Sequence, residues 1–183
     1  MLKIGIFCSS SNSIAPAYYE QAACLGKWIG KHKHSIVYGG AAQGLMECMA
    51  QNVKESGGLT IGVLPQAMYE NGLGSAVIDQ LIITKDLAER KNKMMEIADV
   101  FIALPGGFGT LDEIFHIVAN GQVGYHDKPL LLFNQNDFYK PLIQQMEQMA
   151  VERFTLAEHQ KRIIVVNTTD ECINELLLIS RTI

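Results

Sequence analysis

The stretch LPGGFGTLDEI, residues 104–114, places a glycine-rich turn directly before two adjacent carboxylates. Glycines let backbone N–H groups approach a ligand without an intervening Cβ, and a helix N-terminus adds partial positive charge. Gly106, Gly107, Gly109 and Thr110 are therefore candidates to bind a phosphate. An ordinary strand-to-helix turn explains the same residues equally well, so the motif by itself leaves both interpretations open.

Glu113 also allows two interpretations. The segment TLDE has the T-x-x-E pattern of a capping box, in which Glu113 would cap its own helix. A carboxylate beside an anion-binding helix start instead needs a separate task or a cationic partner, and Arg90 in DLAERKNKMME is the candidate. A solvated face is the ordinary interpretation of Arg90, Lys91 and Lys93. Cations near a helix start oppose the helix dipole, however, which indicates an anion nearby.

Two further loops are rich in small residues: CSSSNS at residues 8–13 and GGAAQG at residues 39–44. Loops beyond the carboxyl ends of parallel strands form the ligand sites of open α/β sheets, so three such loops favour a nucleotide. No lysine follows the glycines as in a P-loop, and the spacing G-x-G-x-x-G is absent. A mononucleotide therefore fits better than a triphosphate or a dinucleotide.

Seven short apolar runs barely alternate, which is typical of strands buried on both faces. They cover residues 2–7, 35–38, 60–64, 78–84, 100–104, 129–133 and 162–166. Stretches with helical spacing separate them. The pattern predicts a doubly wound, Rossmann-like α/β fold with a mainly parallel sheet of about seven strands and helices on both faces. Residues 1–183 are expected to form one domain, in which residues 66–77 are a mobile loop or lid.

Composition narrows the possible partners and cofactors. Hydrophobic residues make up 48% and charged residues 19% of 183, which is enough for a full core. A net charge of −4 argues weakly against a nucleic acid polymer. The cysteines lack C-x-x-C spacing and the histidines lack an H-x-x-x-H pair, so no metal is expected. With neither a signal-peptide pattern nor an apolar run near the roughly 18 residues of a membrane span, a cytoplasmic protein without a membrane partner is expected.

Together these segments resemble the LOG family, once widely labelled "possible lysine decarboxylase". The resemblance rests on ERK at residues 89–91 and on residues 98–113, which contain P-G-G-x-G-T-x-x-E. IFCSSS, VYGGAAQGLM and GGLTIGVLP extend it over almost the whole chain. The family hydrolyses the N-glycosidic bond of nucleoside 5'-monophosphates, with cytokinin riboside monophosphates and AMP as substrates. Nothing in the sequence marks a Schiff-base lysine with pyridoxal phosphate partners, so the decarboxylase label has no support.

The resemblance implies roles for individual residues. Glu113 would stabilise the positive charge that develops on the ribose and orient water, as one carboxylate does in glycosidases, with Arg90 as its catalytic partner. The phosphate would lie on the P-G-G-x-G-T loop. Further substrate contacts are expected at Lys91, Ser9, Ser10, Gly39, Gly40 and Met94. The family also implies a homodimer with sites near the interface, and no metal or cofactor is expected.

The chain departs from the family pattern at Ala88, Ala42, Glu47 and Ser9, which bears on the choice of base. A nucleotide-binding sensor that does not hydrolyse its ligand is therefore the alternative to the enzyme. The altered second loop favours the sensor, whereas the intact Arg90 and Glu113 favour the enzyme.

Overall fold

The computed structural model describes residues 1–182, apart from the side chains of Ala157 and Gln160. Its strands lie within two residues of the predicted positions. They are β1 (Lys3–Phe7), β2 (Ser35–Tyr38), β3 (Leu59–Pro65), β4 (Gln80–Thr84), β5 (Val100–Ala103), β6 (Leu130–Phe133) and β7 (Ile163–Val166). All pairings are parallel, in the order β4-β3-β2-β1-β5-β6-β7. The predicted doubly wound sheet is confirmed.

Helices cover both faces of this sheet. They are α1 (Pro16–Lys31), α2 (Gly44–Glu55), α3 (Gln66–Glu70), α4 (Leu87–Ile97), α5 (Phe108–Gln122), α6 (Lys140–Val151) and α7 (Thr169–Ile179). Two short 3₁₀ segments, Gln135–Asp137 and Ala157–Arg162, complete the fold. Helices α1, α2 and α7 pack on one face, and α4, α5 and α6 pack on the other. In the part of the chain that the structure describes, no helix is long and apolar enough to cross a membrane.

The double covering explains the continuous apolar runs in the sequence. Every residue of β5 (VFIA) and β6 (LLLF) is buried, because helices lie against both sides of these strands. The edge strand β4 is less covered, and Leu81 and Ile83 are 41% and 38% exposed. The buried central strands therefore form a rigid support for the loops that follow them.

The order of the strands places one crevice at the middle of the sheet. β1 pairs with β2 on one side and with β5 on the other. The connection from β4 to β5 therefore passes over β3, β2 and β1 to reach the other half of the sheet. The loops after β1 and β5 leave the same edge of the sheet and diverge. Ligands of open α/β sheets bind at such a switch point.

The stretch 66–77, predicted as a mobile loop or lid, contains helix α3 and is hydrogen-bonded to the second glycine loop. The Ala42 N–H donates to the Leu73 carbonyl and the Ser75 N–H donates to the Gly40 carbonyl, each at 2.9 Å. Ala41 and Gly74 also form an antiparallel bridge. A helix of five residues is too short to produce a periodic pattern, which is why the sequence did not indicate it.

Candidate active site

A cleft of about 500 Å³ lies at the switch point. Its volume falls within the range of small-molecule sites, about 300–1,000 Å³. Its walls come from the loops after β1, β2 and β5 and from the four helices α2, α3, α4 and α5. The lining residues are Cys8, Ser9, Ser10, Ser11, Ala41, Gln43, Met46, Met68, Leu87, Arg90, Gly107, Phe108, Gly109, Thr110, Asp112 and Glu113.

Arg90 on α4 and Glu113 on α5 form a salt bridge in this cleft, in which Arg90 Nη2 donates to Glu113 Oε1. Their side chains are only 12% and 8% exposed. The expected proximity of these two residues within one chain is confirmed. Removing two charges from water is costly, so a buried pair is weak evidence for a role in stability and points to another task.

Burial also sets the protonation of Glu113. Loss of solvent raises the pKa of its carboxyl to about 7; Arg90 opposes this rise, Asp112 adds to it, and Lys91 opposes it. A carboxyl with a pKa near neutrality exchanges its proton at working pH. That property suits a group that orients and deprotonates water.

The capping-box interpretation of Glu113 is wrong. Helix α5 begins at Phe108 with Gly107 as its N-cap, so Thr110 is its third residue and Glu113 its sixth. No side chain caps this helix. The T-x-x-E pattern therefore lies too far into the helix to cap it, and the Glu113 carboxylate faces Arg90.

The N-terminus of α5 is open toward the cleft. The amides of its first turn have no intrahelical acceptor, and the first helical bond runs from the Leu111 N–H to the Gly107 carbonyl at 3.0 Å. A Cβ at Gly107 or Gly109 would meet nothing within 4 Å, so both face open space. A Cβ at Gly106 would collide with the Thr110 side chain. Gly106 thus permits the tight turn, and the other two glycines expose the backbone.

The N-terminus of α2, in contrast, is already occupied by the first loop. The Gly44 N–H donates to Asn12 Oδ1 and the Leu45 N–H donates to the Ser9 carbonyl, both at 2.9 Å. Gly44 has a φ of +57° and packs against the Ser9 and Ser10 backbone, where a side chain would not fit. The first two amides of α2 are therefore already bonded, whereas the amides of Phe108, Gly109 and Thr110 at the start of α5 have no partner among the described residues.

Gly39 packs closely against the guanidinium of Arg90. A Cβ at this position would lie 3.0 Å from Arg90 Nη1 and 3.0 Å from Met46 Sδ. Gly40, with a φ of +72°, turns the loop away toward Ser75. The second glycine loop thus contributes to the site by leaving room for Arg90.

The family model described as "Possible lysine decarboxylase" matches residues 46–176. The chain is also 36% identical over 165 residues to the cytokinin riboside 5'-monophosphate phosphoribohydrolase of Rhodococcoides fascians, covering 88% of this chain and 82% of that protein. The chain belongs to the LOG family.

Other LOG family members and solved structures match along nearly the whole chain. The cytokinin riboside 5'-monophosphate phosphoribohydrolase LOG4 of Arabidopsis thaliana is 33% identical and covers 95% of this chain and 81% of its own length. The molybdenum cofactor binding protein of Rippkaea orientalis superposes with a TM-score of 0.75 at 25% identity, covering 98% of both chains. Proteins with this fold thus carry names that describe hydrolysis and names that describe binding.

The remaining predicted site residues occupy three different places. Ser9 and Ser10 line the cleft. Lys91 is not among the lining residues, because its Nζ lies 2.7 Å from both carboxylate oxygens of Asp112. Met94 is fully buried in the core under α4. Ser9 and Ser10 therefore lie in the cleft, whereas Lys91 and Met94 are not among the residues that line it.

Most departures from the LOG family pattern lie outside the cleft. Ala88 and Ala42 are exposed and do not line it. Glu47 lies on α2, where its Oε1 accepts from Gln51 Nε2 at 2.9 Å. Ser9 is the one departure that lines the cleft. The altered second loop therefore leaves the walls around Arg90 and Glu113 intact.

Several lining residues were not identified from the sequence. Met46, Met68, Leu87 and Phe108 add an apolar surface to the cleft, which is called the apolar rim below. Isolated apolar residues in helices are ordinarily assigned to the core, so only their exposure reveals them; Phe108, for example, is 93% exposed.

The cleft has neither a metal-ligand cluster nor an activated thiol. Among residues 1–182, no group of three or more His, Cys, Asp or Glu side chains is arranged to hold a metal ion. Cys8 lies on the cleft floor, where burial and the neighbouring Glu113 raise the pKa of its thiol well above the usual value. Cys8 is therefore a thiol at neutral pH and a poor nucleophile.

Proposed function

We propose that this chain hydrolyses the N-glycosidic bond of a nucleoside 5'-monophosphate, releasing the free base and ribose 5-phosphate. The observation that carries the proposal is the buried Arg90–Glu113 pair, which shares one cleft with the open N-terminus of α5. The names of the curated relatives describe the same reaction on cytokinin riboside monophosphates.

Glu113 is the group that acts on the ribose. Cleavage of the bond from the base to C1' leaves the electron pair with the base and builds positive charge on the sugar. A carboxylate close to C1' stabilises that charge and accepts a proton from the attacking water, whose oxygen becomes the C1' hydroxyl. The departing base takes up one proton from solvent and Glu113 returns its proton to solvent, so the products are the neutral base and ribose 5-phosphate. Glu113 must be ionised at this step, and its pKa of about 7 supplies the ionised form at and above neutral pH.

Arg90 orients Glu113 and keeps donors for the ligand. One of its terminal nitrogens is bonded to Glu113, while its buried Nε has no hydrogen-bond partner among the described residues. Arginine stays charged and presents a planar set of donors, which suits a position between a carboxylate and a nucleotide. We assign Arg90 to orienting the carboxylate and assisting departure of the base.

The 5'-phosphate is assigned to the N-terminus of α5. Gly107, Gly109 and Thr110 line the cleft there, and the helix dipole adds partial positive charge. Ser9 and Ser10 add hydroxyl groups from the adjacent first loop, where the Ser9 N–H donates to the Pro105 carbonyl at 3.2 Å. This placement sets the ribose between the phosphate site and Glu113, as the reaction requires.

The apolar rim bears on the choice of base. Met46, Met68, Leu87 and Phe108 offer an apolar surface to the base of the nucleotide and to any apolar group that the base carries. A prenylated adenine gains more from such a surface than the adenine of AMP does. We therefore propose that the chain accepts both nucleotides and prefers the prenylated one.

We also propose that the protein is a cytoplasmic homodimer of one-domain chains, with its sites near the interface. Phe108 at the cleft mouth and Val123 and Tyr125 at the far end of α5 are 93%, 67% and 76% exposed, which supports a covered surface along this helix. All four cysteines are free, as is usual in a reducing compartment.

Two other activities are less well supported. No lysine is among the residues that line the cleft, so a Schiff-base decarboxylase lacks its nucleophile there. A sensor without hydrolytic activity would share the fold, since fold alone does not fix function. It would not require a buried carboxylate with a pKa of about 7 beside an arginine.

Incubation with AMP and with isopentenyladenosine monophosphate tests the proposal. We expect free base from both nucleotides and a higher kcat/KM for the prenylated one. Calorimetric titration of the same nucleotides into Glu113→Gln measures binding without turnover. Tight binding with no base released by the unmodified chain would establish the sensor instead.

A further inference from the structure

A second ion pair connects α4 to α5, and the chemistry proposed above does not use it. Lys91 Nζ lies 2.7 Å from both Oδ1 and Oδ2 of Asp112. Lys91 directly follows Arg90 on α4, and Asp112 directly precedes Glu113 on α5. The two pairs therefore lie side by side and bridge the same two helices.

The burial of the two pairs differs, which separates their roles. Lys91 is 14% exposed, but Asp112 is 57% exposed, so solvent screens the outer pair. Such a pair contributes little to overall stability. Its geometry is nevertheless specific, because both carboxylate oxygens engage an ammonium group that has three donors. The Lys91 ammonium is thereby held at a carboxylate that lines the cleft.

We propose that the Lys91–Asp112 pair is a positioning device, which holds α4 against α5 in the register at which Arg90 reaches Glu113. This inference rests on the proposed function, since it concerns the same site. Asp112 lines the cleft and Lys91 does not, and we place neither residue in contact with the reacting atoms. They act through the adjacent residues on the same helices.

The outer pair also balances the charge around Glu113. Asp112 raises the pKa of the Glu113 carboxyl, whereas Lys91 lowers it. While the pair is intact, these two influences oppose each other. Removing one partner leaves the other uncompensated next to the catalytic carboxyl, so the two single variants should change its titration in opposite directions.

The variants Lys91→Met, Asp112→Asn and the double variant test this role. A displacement of about 1 Å at a reacting group can cost about a hundredfold in rate, so we expect each single change to lower kcat about tenfold or more. KM for the nucleotide should stay within about twofold, because the lost interaction is not with the ligand. The double variant should lose no more than the worse single variant, since the two residues form one contact.

The pH profile supplies a readout that a general loss of structure would not produce. Lys91→Met should move the acid limb of kcat to higher pH, and Asp112→Asn should move it to lower pH. Lys93→Met is the matched control, because Lys93 pairs with Glu96 on its own helix at 2.9 Å and does not bridge to α5. It should keep the rate and the profile, and thermal melting confirms that each variant is folded.

Two results would overturn the positioning role. One is a large rise in KM for Lys91→Met with no effect of Asp112→Asn, which would make Lys91 a direct phosphate ligand. The other is additive loss in the double variant with an unchanged pH profile. If the unmodified chain releases no base, the proposed function fails separately. Carbon-13 NMR titration of Glu113 in the same variants then tests the positioning role. We expect the pKa of Glu113 to shift in opposite directions in the two single variants. Identical titration curves would contradict the role.

Discussion

Glu113 combines two properties that a carboxylate on the protein surface would not have. It is buried, which raises the pKa of its carboxyl to about 7, and it has a cationic partner that favours its ionised form. The balance leaves the group near its midpoint at neutral pH. A modest change of pH therefore changes the fraction of molecules in which Glu113 is ionised.

This balance predicts a pH dependence. Since the pKa of Glu113 lies above its usual value and the proposed active form is ionised, kcat/KM should rise with pH through an acid limb near 7, and kcat should show an acid limb set by the same carboxyl in the complex. The free substrate phosphate titrates near 6 and adds its own limb to kcat/KM, so both parameters are measured from pH 5 to pH 9 and compared. A kcat that stays constant down to pH 5 would show that no such carboxyl limits the reaction.

Arg90 provides the second test at the residue scale. Arg90→Lys keeps the charge but loses the planar set of donors that reaches both Glu113 and the ligand, so most activity should disappear. Lys93→Arg on the exposed face of the same helix is the control and should be neutral. Full activity of Arg90→Lys would remove the arginine from the mechanism.

At the scale of secondary structure, the two helix starts in the crevice are not equivalent. The start of α2 is satisfied by Asn12 and the Ser9 carbonyl, whereas the start of α5 keeps its amides free. The sequence could not reveal this difference, because both loops are glycine-rich and precede helices. Only the contact between the first and second loops determines which of them can bind an anion.

Gly107→Ala tests the assignment of the phosphate to α5. A Cβ at Gly107 meets nothing within 4 Å and its backbone is extended, so the protein should fold normally. The methyl group would instead lie where the phosphate approaches. We expect binding of the 5'-monophosphate to weaken far more than binding of the nucleoside, measured by calorimetry with both ligands. Equal losses would place the phosphate elsewhere.

The sequence predicted the strands better than it predicted the contacts between helices. The strands were predictable because β5 and β6 are buried on both faces and leave continuous apolar runs. The T-x-x-E pattern was misleading because α5 begins earlier than Thr110. The pairing of Lys91 with Asp112 and the packing of Gly39 behind Arg90 depend on how α4 lies against α5 and β2, which no local pattern encodes.

At the scale of the whole molecule, fold and family answer different questions. The parallel sheet and its switch point fix where a ligand can bind, but a molybdenum cofactor binding protein shares that architecture. We propose that Arg90 and Glu113 decide the chemistry, and both were singled out from the sequence. Arg90 lies on the helix before β5 and Glu113 on the helix after it. The crossover connections of a parallel sheet place these two helices on the same face, where the two side chains form their salt bridge.

The proposed homodimer predicts a particle of twice the mass of one chain. The exposed apolar side chains along α5, among them Phe108 and Phe115, should be covered by the second copy. Sedimentation equilibrium over a hundredfold range of concentration measures the mass, and activity is followed over the same range. A monomer with full activity at every concentration would contradict both the dimer and the placement of sites near its interface.

The central claim is that Glu113, paired with Arg90, hydrolyses the N-glycosidic bond. Chromatography of the products formed from isopentenyladenosine monophosphate tests it most directly, comparing the unmodified chain with Glu113→Gln. The unmodified chain should release base and ribose 5-phosphate in equal amounts, and the folded variant should be slower by roughly a hundredfold or more. Release of nucleoside and inorganic phosphate, or a Gln variant as fast as the unmodified chain, would contradict the account.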